Sequence, residues 1–158
     1  MTRSIQGPLS VALAAGAIAA GCGGDEAGDA NGSERSEYIA GSNAICADTE
    51  AKAEAAFGRI IGAGRPTPAE AQRFLHEALV PAVRENVARR AVLAAPDGDE
   101  DEVEAMIAAG RRAVAGFERL AADRSRAAAL FRGAAADPAT EFDSRSRAYG
   151  IEECSGGN

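Results

Sequence analysis

The sequence predicts an all-α fold, an up-down four-helix bundle over residues 36–154. Three observations carry this: apolar residues recur at a period near 3.6 with no strand-like alternation, capping residues punctuate that pattern, and the intervening loops are short. Residues 1–21 read as a signal peptide, 22–35 as a flexible tether and 155–158 as a disordered tail. One domain remains, with no internal repeat.

In the first segment Ile39, Cys46, Ala53 and Ile60 recur every seven residues, with Phe57 beside them. They make one stripe on a helix from about Ser36 to Ile61, which Gly62-Ala63-Gly64-Arg65-Pro66 ends. Thr67-Pro68-Ala69-Glu70 restarts a helix with a threonine N-cap, a proline at the first position and a glutamate at the third. Leu75, Leu79, Ala82, Val83 and Val87 form its inward face, and Pro81 should kink it by removing the bond to the carbonyl of Glu77. This second helix is expected to end near Ala95, before Pro96. The third opens in the acidic run from Asp97 and buries Val103, Met106, Ile107, Gly110, Val114, Phe117 and Leu120. It either continues through Leu130 and Phe131 or breaks near Asp123. Asp137-Pro138 reads as the start of a fourth helix, which buries Phe142 and Tyr149 and stops at Gly150.

The core available to these helices is thin. Although 46% of the residues are hydrophobic, much of that is alanine, aromatics are 4% and tryptophan is absent. A domain of this size with so little apolar volume has a small margin of stability. The net charge is −7, and removing residues 1–21, whose only charged side chain is Arg3, takes it to −8. An acidic surface argues against nucleic acid and against a polybasic grip on anionic lipid.

The N-terminus reads as an address. Arg3 precedes an apolar run from Leu9 to Ala20, long enough for a signal-peptide core and too short for a stable membrane span. The run closes in Ala19-Ala20-Gly21-Cys22, which resembles the lipobox of bacterial lipoproteins. In that family the cysteine is acylated and the chain is cut just before it. Small residues precede Cys22 as the family requires, but Ala19 stands where a larger aliphatic residue is usual. An ordinary secretory signal, cut after Ala19 or Ala20, is the alternative. The resemblance implies an extracytoplasmic protein held on the membrane by lipid at Cys22, or a secreted one if unlipidated. The Gly-rich, charged stretch after Cys22 suits a tether of about 14 residues, reaching on the order of 20 Å as a random coil.

If Cys22 is acylated, Cys46 and Cys154 remain, an even pair in an oxidising compartment. An intramolecular bond between them is the favoured reading over free thiols or an intermolecular bond. It would close a loop of roughly 109 residues, for which chain entropy gives about 4–5 kcal/mol. Ile45-Cys46-Ala47, the proline-containing second helix, the acidic opening of the third and Tyr149-Gly150-Ile151-Glu152-Glu153-Cys154 also resemble uncharacterised small helical lipoproteins of high-GC Gram-positive bacteria. That resemblance covers about residues 37–154. It implies a similar bundle and disulfide and carries over no catalytic residue.

Candidate chemistry is sparse. His76 is the only histidine, and Glu70, Glu77 and Glu85 do not converge on it by spacing, so a surface or partly buried helix residue is expected rather than a metal ligand. The run Asp97–Glu104 is consecutive rather than alternating, which suits a helix N-terminus better than a calcium loop. Arg89-Arg90 and Arg111-Arg112 fall off the apolar stripe and read as a solvated face; a basic patch of these pairs with Arg119, Arg124 and Arg126, docking an anionic envelope polymer or a partner's acids, is the alternative. Ser10, Ser33, Ser42 and Ser125 lack a nucleophile context. No catalytic residue, metal or cofactor is expected, and an enzyme is not. The expected role is protein interaction or structure, with a possible envelope protein partner. Small-ligand binding, in a pocket where Pro81 opens the second helix against Gly110 of the third, is the alternative.

Overall fold

The computed structural model describes residues 29–154, with side-chain surroundings from residue 32 onward. Residues 1–28, which include the signal peptide, Cys22 and most of the tether, and the tail 155–158 lie outside the described residues. The described residues form five helices and no strand. They are α1 (Asp29–Ile60), α2 (the consecutive pieces Pro68–Phe74, Leu75–Leu79 and Val80–Arg90), α3 (Glu100–Ala121), α4 (Arg124–Phe131) and α5 (Thr140–Tyr149). No described helix is long and apolar enough to cross a membrane.

The first helix begins at Asp29, ahead of the expected Ser36, and so takes in part of the stretch read as tether. Contacts from its first turns explain the difference. The Glu34 carboxylate accepts the Asp97 backbone N–H at 3.2 Å. Arg35 pairs with Asp99 at 3.3 Å and lies 4.3 Å from the centre of the Tyr149 ring. The buried edge of α1 is Tyr38, Ser42, Ile45, Cys46 and Ala56, while Ile39, Phe57 and Ile60 flank it half-buried. The helix ends as its glycines require: Gly62 takes a positive φ of 74° and donates to the carbonyl of Phe57.

Thr67 and Glu70 form the reciprocal capping pair that opens α2. The Thr67 N–H donates to Glu70 at 2.9 Å, and this bond holds the Glu70 carboxyl below the usual range. The effect of Pro81 differs from a simple kink. One turn earlier, Leu75–Leu79 widens into a π-turn in which the N–H of Val80 reaches the carbonyl of Leu75. The wider turn gives the proline ring room against the preceding carbonyls. α2 ends at Arg90 rather than near Ala95 because the chain turns back there: Leu93 lies over Gly41, where an added methyl group would meet it at 3.4 Å, and Pro96 is fully buried.

The expected fourth helix is preceded by an extra one. Asp123 breaks the chain after α3, and its carboxylate caps α4 by accepting the N–H of Arg126 at 2.9 Å. α4 then packs against the first part of α2, so the bundle holds five helices rather than four. In α5, Thr140 rather than Pro138 is the first helical residue, and Gly150 closes the helix at φ 100°. Ile151 follows, fully buried, with its N–H on the carbonyl of Ser146 at 2.9 Å.

Glycine seams bring the helices close. A methyl group at Gly110 would sit 2.6 Å from Val87 of α2 and 3.0 Å from Phe142 of α5. One at Gly116 would sit 2.5 Å from Pro138. The pocket expected between Pro81 and Gly110 is therefore replaced by close packing at Gly110. Changing Gly110→Ala should lower stability in urea despite a helix-propensity gain of about 1 kcal/mol, because overpacking costs about 1–3 kcal/mol. Gly58→Ala on exposed α1, with nothing within 4 Å of the added carbon, should instead stabilise by about 0.5–1 kcal/mol. Equal signs for the two would contradict the seam.

Candidate functional site

A cavity of about 300 Å³ lies among the helices, and it is the candidate site. α1 contributes Thr49, Glu50 and Ala53; α2 contributes Leu79, Val83 and Asn86. The floor and walls are aromatic: Phe74, Phe117, Phe131 and Phe142, four of the chain's five phenylalanines. Phe74 and Phe131 meet edge to face at 5.9 Å, and Phe57 backs both at 5.5 and 6.3 Å. The thin core thus concentrates its aromatic volume around a space rather than in solid packing. A larger hollow of about 580 Å³ beside His76 is lined mainly by polar side chains of the surface, so the apolar cavity is the better receptacle.

Asn86 sits on the wall with 5% of its surface exposed. Its amide nitrogen donates to Thr49 Oγ1 at 3.0 Å and lies 3.6 Å from Cys46 Sγ. Its carbonyl oxygen has no hydrogen-bond partner. Asp143, at the α5 side, is half-buried, and its carboxyl is pushed up to about 6. Burial is the main cause and the nearby charge of Asp137 the second, opposed by Arg147 and Arg90.

Beside the cavity, but not lining it, stands a buried polar knot around Arg90, which has no exposed surface. One terminal nitrogen donates to Ser146 Oγ at 3.1 Å and Cys154 Sγ at 3.3 Å; the other reaches Met106 Sδ at 2.8 Å. The guanidinium lies 4.7 Å from the centre of the Phe142 ring. Its pKa is lowered by burial, and that of Tyr38, which faces it, is raised by the same cause. Tyr149 packs edge to face on Tyr38 at 5.6 Å and donates its hydroxyl to Asp99 at 2.7 Å.

The residues singled out from sequence fall into place unevenly. Cys46 and Cys154 come together at disulfide distance, with Cα atoms 5.1 Å apart across 108 positions of sequence. Cys22 and Ser10 lie outside the described residues. His76 is exposed, and among the described residues no group of three or more His, Cys, Asp or Glu side chains gathers as a metal site. Of the acidic run, Glu100, Asp101 and Glu102 occupy the first turn of α3, and Asp99 serves Tyr149 and Arg35.

Of the arginines, Arg112, Arg119 and Arg126 line one surface hollow of about 430 Å³, together with Asp137 and Glu141. Arg89 pairs with Asp48, and Arg112 pairs with Glu141 at 2.8 Å. Arg90 overturns the reading of its pair as a solvated face. A polar stripe legible in the sequence accounts for it: Leu79, Val83, Asn86 and Arg90 follow at helical spacing, so the last two share the inward face. Ser42 is also fully buried, beside the Tyr38 hydroxyl.

Since no carboxylate pairs directly with Arg90, its charge costs desolvation without the return of an ion pair. Arg90→Met should therefore leave stability in urea within about 1 kcal/mol of the parent, whereas Arg90→Ala, which opens a void, should cost about 2–5 kcal/mol. Equal losses in both would show that the charge itself holds the fold. Asp143 gives a pH signature. A carboxyl whose folded pKa is raised opposes folding once ionised, so that penalty is full above about 6 and absent below the unfolded value of 3.8. Asp143→Asn should stabilise the chain at neutral pH, with a gain that shrinks on acidification and vanishes near pH 4; a gain independent of pH would contradict the raised value.

No protein-family model matches the chain, and neither a curated protein nor a solved structure matches it, so the chemistry of the cavity is the guide to function.

Proposed function

We propose that the chain is an exported lipoprotein, tethered through Cys22 and closed by a Cys46–Cys154 disulfide, whose up-down helical bundle binds a small, largely apolar molecule. One observation carries the ligand-binding part: a cavity of about 300 Å³ walled by four phenylalanines and bordered by the polar side chains of Thr49 and Asn86. Small-molecule sites combine an apolar lining with a few placed polar groups in this way. The lipobox resemblance supports the anchor, and the cysteine spacing supports the disulfide. Interaction with an envelope protein is the second reading. It rests on anchor and tether, and Val92 is the large hydrophobic side chain exposed among the described residues, which makes a poor apolar docking patch.

Two measurements test this reading. A thermal-shift survey with small apolar compounds should find a stabiliser, since binding to the folded state alone raises the midpoint. A survey without one removes the ligand-binding role. Mass spectrometry of the chain recovered from its own membrane should show acylated Cys22 and a gain of two protons on reduction. An unlipidated chain beginning near Ala20 would remove the anchor and keep export.

A further inference from the structure

We propose that the Cys46–Cys154 bond is a redox-active site that exchanges with dithiols, its reduced form holding Cys154 as a thiolate against the buried guanidinium of Arg90. This rests on the disulfide proposed above and goes on to its chemistry.

The observation behind it is a buried cation with no anion in contact. Arg90 has no exposed surface, and Asp143 reaches it only through space. One terminal nitrogen donates to Cys154 Sγ at 3.3 Å. In a disulfide that sulfur is neutral and a weak acceptor, so the charge gains little from it. In a dithiol the same sulfur can ionise. A thiolate there would set a full negative charge against the guanidinium, across a hydrogen bond shielded from water. Neighbouring cations hold thiols well below their ordinary value of about 8.5, whereas apolar burial alone raises them. A disulfide whose reduced form is stabilised in this way is a stronger oxidant than a structural one.

The two sulfurs are not equivalent. Both cysteines line the cavity, but Cys46 is 3% exposed and faces the neutral Asn86 amide at 3.6 Å, while Cys154 is half-buried. Attack therefore falls on Cys154. One thiolate of a dithiol bonds to its sulfur, and Cys46 leaves with the electron pair and takes up a proton. The dithiol's second sulfur then closes on the first, and Cys154 leaves as the thiolate beside Arg90. The dithiol is oxidised to a disulfide and the protein bond accepts its two electrons. Of the dithiol's two protons, one ends on Cys46 and one in solvent. Buried Ile151, and the Glu153 N–H donating to Asn43 at 3.2 Å, hold the chain before Cys154 on the bundle once the bond opens.

The other groups around the pair are Tyr38 of α1, which faces Arg90, and several acids. Glu50 and Asp137 line the cavity, and Glu152 and Glu153 adjoin Cys154; all four are exposed, where salt screens them. Asp143, itself influenced by Arg147, is half-buried and ionised above about 6, so it opposes the thiolate. The guanidinium acts at hydrogen-bond range.

The test uses the full chain, with dithiothreitol as the dithiol and iodoacetamide as the thiol probe, read by peptide mass. Dithiothreitol should reduce the folded chain without urea. In the reduced chain, the alkylation rate of Cys154 should rise with pH around a midpoint below about 7, against about 8.5 for an ordinary thiol. Arg90→Met should return that midpoint to the ordinary value or above. At about pH 8 it should also shift the equilibrium with dithiothreitol about tenfold toward the protein disulfide, or about 30 mV. The parent profile stands as a test by itself if the variant fails to fold. A parent midpoint at or above about 8.5, or one unmoved by Arg90→Met, would overturn the thiolate. Reduction only in urea would overturn the exchange and leave the disulfide as a staple. Alkylation of both cysteines before any reductant is added would overturn the disulfide as well.

Discussion

The structure depends on the volume filled by one long side chain, Arg90, which has been taken wholly out of water. Arg90 ends α2 beneath the surface, and its partners come from other parts of the chain: Tyr38 of α1, Met106 of α3, Ser146 and Phe142 of α5, and Cys154 beyond it. Asp143 acts on it through space, not through an ion pair. A buried side chain of this length tolerates little displacement of what packs on it, so these soft acceptors and the aromatic face fix where α3, α5 and the C-terminal residues sit relative to α2. The cysteine pair lies in the same knot, since Cys154 accepts from Arg90 and Cys46 stands 3.6 Å from Asn86.

Around that centre the packing is made of small residues. Ala71, Ala109, Ala113, Ala127 and Ala128 are buried, and the glycines at 110 and 116 allow side chains of neighbouring elements to press against the α3 backbone. Short side chains let helices approach but leave little volume with which to fill a centre. Bulky rings gathered at one level hold the helices apart there, and the cavity is the result. The exposed ion pairs that dress the outside, such as Lys52 with Glu85 and Arg112 with Glu141, contribute little in water and mainly prevent like charges from meeting.

Much of the fold was legible in the sequence because its signals are local. The Thr67 capping pair, the glycine stops at 62 and 150, and the buried stripe of α3 from Val103 to Phe117 each follow from a few adjacent residues. Asp123 was legible only as an alternative, since a carboxylate in a helical run reads equally as a surface residue or a cap. The site was harder to see. Tyr38 and Ser42 lie inside while Ile39 lies at the edge, a choice made by packing and not by hydrophobicity. Asn86 and Arg90 sit in phase with Leu79 and Val83, but charged and amide side chains are so seldom buried that period alone does not place them inside. The widened turn before Pro81 left no compositional mark.

That turn has a consequence for how the chain can vary. A π-turn is in effect one residue too many in an α-helix, and each residue of a regular helix advances the face by about 100°. The stretch before Leu75 and the stretch after Leu79 are thus two rods joined out of phase, one facing α4 through Phe74 and the other facing α3 and α5 through Val87 and Arg90. Removing the extra residue would rotate Asn86 and Arg90 away from their partners together, so cavity wall and buried charge are inherited as one reading frame of the helix.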